Sequence, residues 1–440
     1  MLISRYFAEH LNRCNLIYIK INLLQLSIII VNYNVKYFLE QCIYSVEIAT
    51  FNIAAQIIVI DNNSSDGSKE FFCNKFPNVQ FIWNKKNVGF SKANNLGLAE
   101  ASGKYILFLN PDTLVAEDCF SKCINFYETH QHIGALGIRM IDGSGQFLKE
   151  SKRGFPSLFP SIFKLFGLSA LFPKSKIFAR YYLGNLSEYE NHEVDVLSGA
   201  FMLIEKKVLD KIGGFDEDFF MYGEDIDLSY RIQNAGYKNY YFSESTIIHF
   251  KGESTKKGSL KYVQLFYGAM NLFLQKHNTS AKSNLYSFFI KIAIGLKIAD
   301  NNFKKLLSFF IKRNDNLGQR SIATMVVADE QDYLLINDSL KNDVIKLHIL
   351  GRIDGEKKQQ PSIIGHIANL PKILLAHQIE RIIFCINTYS IKEIITIIQN
   401  LQPAVNFSFH YKGSKSIVGS NNKNEGGDCI ELLPASVINK

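Results

Sequence analysis

The chain has 440 residues, a formal net charge of +8, 47% hydrophobic residues and 20% charged ones. That composition excludes wholesale disorder and gives length for two or three domains with a sizeable core. The basic residues are scattered among acids, so the sequence carries no nucleic-acid footprint, and a basic surface facing anionic lipid or a phosphorylated acceptor is the more economical reading.

Taken in chain order, residues 1–24 read as an extension outside the fold. Leu16–Leu26 looks like a signal core, but Lys20 interrupts it and no small-residue cleavage site follows. No segment reaches the ~18 uninterrupted apolar residues of a spanning helix. From Leu26 to about Phe250, short β-branched runs alternate with helical patterns, which predicts an α/β domain over 25–275. Leu26–Asn32, Gln56–Asp61, Val79–Asn84 and Tyr105–Leu109 are expected strands. Val35–Ala49, with Phe38, Leu39, Cys42, Ile43 and Val46 at helical spacing, and Lys92–Ala101 are expected helices. Asn32, Asp61 and Asp112 fall beyond the carboxyl ends of strands, where open α/β sheets collect their ligand-binding residues. The seven cysteines are scattered, and Cys119 and Cys123 lack a second pair to complete a zinc site, so free buried thiols in a reducing cytoplasm are expected.

Between Phe155 and Phe178, phenylalanines are interleaved with Arg153, Lys164, Lys174 and Lys176. This mixture suits a membrane interface or a lipid-bearing acceptor, and equally a core helix with solvated lysines. Ser287–Ala299 repeats the theme, within an amphipathic segment and linker expected over 276–319. A second α/β pattern occupies 320–440: strands at Ala323–Ala328, Ile345–Gly351, Arg381–Ile386 and Val405–His410, with helices at Asp332–Asp338, Ile367–His377 and Ile391–Leu401. It reads as a small Rossmann-like unit. Its first strand runs into Asp329-Glu330-Gln331-Asp332, where a dinucleotide site needs glycines and a helix N-terminus open to phosphate, so ordinary dinucleotide binding is not expected.

The chemistry-bearing segments come in a fixed order: Ile28-Ile29-Ile30-Val31-Asn32-Tyr33-Asn34, Val59-Ile60-Asp61-Asn62-Asn63-Ser64-Ser65-Asp66-Gly67, Asn87-Val88-Gly89-Phe90-Ser91-Lys92-Ala93-Asn94-Asn95, Leu109-Asn110-Pro111-Asp112, Ser198-Gly199-Ala200-Phe201, Gly213-Gly214-Phe215-Asp216-Glu217, and Glu224-Asp225 with His249 beyond it. Each is weak alone. As an ordered set over about residues 26–275 they resemble the family 2 glycosyltransferases, in particular the rhamnosyltransferase-like branch.

The resemblance implies a GT-A fold and an inverting transferase. Its donor would be a UDP- or dTDP-sugar and its acceptor a lipid-linked or surface-polysaccharide intermediate at the inner face of the cell membrane. Asp61 would contact the nucleoside, with Asn32 forming the opposite wall; helix capping is the competing role for that aspartate. Asn62, Asn87, Gly89, Phe90, Asn94, Asn95, Asn110, Ser198 and Gly199 would line the donor site, Gly89 because backbone must approach the ligand there. Asn110 stands where the family usually carries an aspartate and brings no charge to a metal. Asp112 with His249 would then hold Mg²⁺ or Mn²⁺.

Asp225 would be the general base and Glu224 its partner in positioning the acceptor, whereas Asp227 and Arg231, four apart on a helix, would form a structural pair. The sole tryptophan, Trp83, lies in the nucleotide half, so the Gln-x-x-Arg-Trp motif of processive synthases is absent. A binding or scaffold protein that has lost catalysis is the alternative, motivated by Asn110. The C-terminal unit resembles, more weakly, the nucleoside-diphosphate-sugar or CoA-binding-like domains of polysaccharide enzymes, through Ile364-Gly365-His366, Arg381–Cys385 and Ser416–Asn421.

Overall fold

The computed structural model describes residues 24–156, 171–172, 175, 180–250, 260–277, 295, 321–340, 347–354, 362–401, 405–420 and 427–432. Nearly all of the N-terminal extension, most of 157–178, Ser287–Ala299 apart from Gly295, and the Lys312–Gln319 linker lie outside the described residues.

Two sheets organise the chain. The first is built from β1 (Leu26–Asn32), α1 (Lys36–Ala49), β2 (Ala55–Asp61), α2 (Ser68–Phe72), β3 (Val79–Trp83), α3 (Phe90–Glu100), β4 (Tyr105–Leu109), β5 (Thr113–Val115), α4 (Cys119–Thr129), β6 (Ile133–Ile141), β7 (His192–Val194), β8 (Phe201–Glu205), α5 (Lys206–Ile212), α6 (Glu224–Asn234), β9 (Lys238–His249) and α7 (Leu260–His277). Its strand order is β3-β2-β1-β4-β8-β6-β9-β5, with β7 paired to β9. The first four of these strands run parallel, and β8 adds antiparallel. Every residue of β1 and β4 is buried, the continuous apolar run expected of parallel strands covered on both faces.

The second sheet comprises β10 (Ile322–Val327), α8 (Glu330–Leu340), β11 (Leu347–Asp354), β12 (Ile363–His366), α9 (Leu370–Ala376), β13 (Arg381–Ile386), α10 (Ile391–Asn400), β14 (Asn406–Tyr411), β15 (Ser416–Gly419) and β16 (Asp428–Glu431). Its order is β12-β11-β10-β13-β14-β15-β16, parallel through β14 and antiparallel at the last two. Ile364-Gly365-His366, which precedes the expected helix, is part of an edge strand, and Ser416–Gly419 is an antiparallel strand.

The sheets share one apolar core. Val35, Phe38, Leu114, Ile141, Ile248 and Phe250 of the first pack with Phe384, Ile394, Ile398, Phe409, Tyr411 and Val418 of the second. Helix α1 is buried on two sides. Phe38, Leu39, Cys42 and Val46 face apolar cores, while Glu40 and Gln41, both fully buried, meet the second sheet. Gln41 donates to the Ser416 carbonyl and accepts from the Tyr411 amide, each at 2.9 Å; Glu40 accepts from the Lys415 amide at 2.8 Å and binds Lys75 and the Ser416 hydroxyl. Glu117 of the first unit accepts from the Ile391 amide at 2.6 Å, which caps α10 beyond its own Ser390–Glu393 capping box. Gly143 lies so close to the second unit that a Cβ there would stand 2.1 Å from the Ser420 carbonyl oxygen.

Helix α7 carries the first unit past its expected end at 275. Lys276 pairs with Asp216 and Asp218, and His277 lies 2.7 Å from Asp227. Among the described residues, no helix is long and apolar enough to cross a membrane.

Candidate active site

Parallel register sets the first cluster. Asn32 ends β1 opposite Asp61 at the end of β2, and its Nδ2 donates to Asp61 Oδ2 at 2.7 Å and to the Ser68 hydroxyl at 3.0 Å. Asp61 Oδ1 accepts from the Ser64 amide at 2.9 Å and closes its own turn; it does not cap the next helix, α2, whose N-cap is Gly67 with no side-chain cap. The Oδ1 of Asn32 is buried and has no hydrogen-bond partner.

The Asn62–Asn95 group is hydrogen-bonded within the chain. Asn62 donates to Asn87 Oδ1 (2.9 Å) and the Gly89 carbonyl (3.1 Å) and accepts from the Val88 amide (3.0 Å). The Asn87 oxygen also takes the Gly89 amide at 2.9 Å. Gly89 has φ +88°, and a Cβ there would sit 2.7 Å from the Phe220 carbonyl oxygen, which accepts from the Phe90 amide at 2.8 Å. The close backbone approach that requires glycine is thus to the chain's own Phe220, which corrects the reason given for it. Asn94 binds the Phe90 carbonyl (3.0 Å), and Asn95 brackets Phe215 through its amide and carbonyl (2.9 and 2.8 Å). Asn62 and Asn87 are spent on the 84–89 turn, whereas Asn95, with the Ser91 hydroxyl that donates to the Phe219 carbonyl at 2.6 Å, ties the start of α3 to the 215–220 loop, and that loop delivers Glu224. Tyr222, with φ +68°, and Gly223 make the final turn into α6.

A second cluster forms where β4 ends. The antiparallel pairing of β5 with β9 sets Thr113 opposite His249, so residues 136 positions apart in the chain meet at one sheet edge. His249 Nε2 lies 3.3 Å from Asp112 Oδ1 and 3.3 Å from Asn110 Nδ2. Asp112 and His249 are each 5% exposed, and His249 Nδ1 is buried without a partner. A carboxylate oxygen and an imidazole nitrogen at this separation can contact one divalent cation, with Asn110 a neutral neighbour. Among the described residues no cluster of three acidic, histidine or cysteine ligands exists, so further ligands would have to come from a bound diphosphate or water. Cys42 lies beneath, its sulfur 3.5 Å from the Thr113 hydroxyl. Burial, aided by the charge of Asp112, pushes its thiol up to about 12 and leaves it inert.

The third cluster stands at the N-terminus of α6. Asp225 Oδ2 accepts from Arg153 Nη2 at 2.5 Å and from the Gly199 amide at 3.2 Å. Arg153 also donates to the Leu197 carbonyl at 2.7 Å and is in hydrogen-bonding contact with the buried Tyr181. Glu224 is 7% exposed, and its Oε2 has no partner. Burial first, and the charge of Asp225 second, push the Glu224 carboxyl up to about 8, so it holds its proton at neutral pH. Ser198 accepts from the Ala200 amide at 3.3 Å, and Gly199 lies against this pair. The expected structural pair is present: Arg231 Nε donates to Asp227 Oδ2 at 2.7 Å.

Arg153, grouped by sequence with the aromatic and basic mixture of an interface, is a buried ion-pair partner, which corrects that grouping. Phe155 beside it stacks on Phe273 of α7. No periodicity or motif around Lys152-Arg153-Gly154 marks this role. The second and third clusters are joined by backbone, because the Asn110 amide donates to the Ala200 carbonyl at 3.0 Å, one residue from the amide that holds Asp225.

Comparison with known proteins agrees with this geometry. The model of glycosyl transferase family 2 matches residues 27–213, and that of glycosyl transferase family group 2 matches 170–277. The N-acetylglucosaminyl-diphospho-decaprenol L-rhamnosyltransferase of Mycobacterium tuberculosis is 28% identical over 262 residues, covering 57% of this chain and 83% of that protein. The rhamnosyltransferase WbbL of Escherichia coli is 30% identical over 204 residues, covering 44% of this chain and 72% of its own length. The ordered motifs, the mixed sheet that collects them and these matches agree: the chain is an enzyme of glycosyl transferase family 2, with the GT-A fold in its first sheet.

Proposed function

We propose that the protein transfers a sugar, with inversion, from a UDP- or dTDP-sugar to a hydroxyl of a lipid-linked or surface-polysaccharide acceptor at the inner face of the cell membrane. The observation that carries this reading is the backbone link between the Asp112–His249 and Asp225 clusters through Asn110, Ala200 and Gly199. It holds the Asp112–His249 pair and the Asp225 carboxylate at one edge of the sheet. Asn32 and Asp61 are the nucleoside end of the same edge. The relatives' names supply the acceptor class: one acts on a diphospho-decaprenol-linked sugar, and both are rhamnosyltransferases.

Inverting transfer needs a base for the acceptor proton while its oxygen attacks the anomeric carbon from the face opposite the leaving diphosphate. Asp225 takes that proton. Glu224, protonated at neutral pH, donates a hydrogen bond to an acceptor oxygen or to its neighbour. Asp112 and His249 would hold Mg²⁺ or Mn²⁺, which when bound screens the charge of the leaving diphosphate.

The test is nucleoside diphosphate release from a panel of UDP-, dTDP- and GDP-sugars, with polyprenyl-diphosphate-sugar acceptors and with Mn²⁺, Mg²⁺ or EDTA. One donor should turn over, EDTA should stop it, and D225N should lower kcat by about 10²–10⁴-fold at a similar donor KM. Full activity in D225N would remove the base assignment. Turnover of no donor would favour a binding or scaffold role.

A further inference from the structure

We propose that Arg153 is a positioning residue for the transfer step: with the Gly199 amide it claims Oδ2 of Asp225, leaving Oδ1 as the one oxygen able to receive the acceptor proton. The inference deepens the glycosyl-transfer reading and rests on it. Both hydrogen bonds to the Asp225 carboxylate from the described residues end on Oδ2, from Arg153 Nη2 at 2.5 Å and from the Gly199 amide at 3.2 Å. Oδ1 takes no hydrogen bond from any described residue and is not among the buried unpartnered atoms, and 13% of the side chain is exposed. A carboxylate held by one oxygen has its rotation about χ2 removed, so the other oxygen points one way before the acceptor arrives.

Arg153 is itself fixed. Its side chain is 9% exposed, the same Nη2 binds the Leu197 carbonyl at 2.7 Å, and Tyr181 contacts the guanidinium. Leu197 and Gly199 flank Ser198 on the segment leading into β8, so the segment that anchors the arginine also supplies the amide. Glu224 completes the arrangement by staying protonated, which leaves a single anion opposite Arg153. In the step, the acceptor O–H proton passes to Oδ1. The freed oxygen pair forms the bond to the anomeric carbon, and the bond from that carbon to the diphosphate oxygen breaks with its electrons leaving on the nucleotide.

A double-mutant cycle on the full chain tests this, using the donor found above and kcat as the readout. R153K keeps the charge but has a point ammonium in place of the planar fork. In the wild-type background it should lower kcat by about ten- to a hundredfold at unchanged donor KM, with an unchanged folded circular dichroism spectrum. In the D225N background R153K should cost nothing further, because the carboxylate it positions is gone. Equal losses in both backgrounds, or a loss expressed in KM, would reduce Arg153 to a structural ion pair and overturn the proposal. A second variant needs no change at Arg153. D225E keeps a carboxylate but moves it by one methylene out of the Arg153–Gly199 grip, and should fall nearly as far as D225N. Wild-type kcat in D225E overturns the proposal as well. A wild-type protein that turns over no donor, or a fully active D225N, instead removes the reading on which it rests.

Discussion

Both sheets end their central parallel strands in charged and polar residues, yet they use them differently. At the carboxyl edge of the first sheet, groups from distant segments converge: Asn110, Asp112 and His249 at one point, Arg153, Gly199 and Asp225 at another. At the carboxyl edge of the second, the chain closes the crevice between β10 and β13 with its own side chains. The Asp329 amide donates to the Thr388 hydroxyl at 3.2 Å, Asp329 Oδ1 caps α8 by accepting the Asp332 amide at 2.9 Å, and Lys412 pairs with Asp329 at 3.1 Å. The same architecture therefore offers a site only where side chains keep capacity to spare. In the second sheet that capacity goes into holding the sheet together, while its flank serves the first sheet by covering α1 and Phe250. The position of Phe250 matters because it directly follows His249 and packs edge-on against Phe409.

The largest expected effect comes from breaking that cover. F409A removes a fully buried ring from the shared core and should cost about 3–5 kcal/mol in denaturant unfolding. If the sheets were independent, the loss would appear in one of two separate transitions; with a shared core a single transition shifts.

Next in size, H249A should raise the Mn²⁺ concentration for half-maximal turnover by about tenfold or more, since on the proposed reading His249 and Asp112 are the two protein ligands. An unchanged metal requirement would leave the first edge without its cation role.

A smaller, pH-dependent effect sharpens the contrast at Glu224. Its carboxyl has an ordinary value of 4.5 unfolded and is pushed up to about 8 folded, so between these values the native state binds more protons than the unfolded one. Stability from this group is complete below about 4.5 and is lost as pH rises through about 8. E224Q should therefore gain Tm relative to wild type between pH 5.5 and pH 8.5, and a Tm difference independent of pH would contradict the buried, protonated state.

The smallest effect belongs to the second edge. D329A loses a helix cap worth about 1 kcal/mol but should leave donor turnover within about twofold. A large loss of kcat there would mean that the second edge takes part in the reaction.

The sequence determined the elements whose signal is local. β1, β4 and β13 have the bounds that their apolar runs predict, because a strand buried on both faces needs nothing but apolar residues over its length. The ordered polar motifs also located Asp61, Asp112, Glu224 and Asp225 at strand ends and at a helix N-terminus, since chain order along an α/β sheet fixes which residues reach its carboxyl edge.

What depends on two distant segments meeting was decided by tertiary structure alone. In α1, Glu40 and Gln41 occupy positions that a helical pattern assigns to solvent, and only the docking of β14 and β15 makes them buried hydrogen-bonding residues. The asparagines of 62–95 look like ligand contacts in the sequence; in the fold Asn62 bonds the Gly89 carbonyl and Asn95 bonds the 215–220 loop. Arg153 is one more basic residue in a basic, aromatic stretch until the fold brings it 2.5 Å from a carboxylate 72 positions away. The physical reason is common to all three: a polar side chain has several possible partners of similar local worth, and burial by a remote element decides which it keeps.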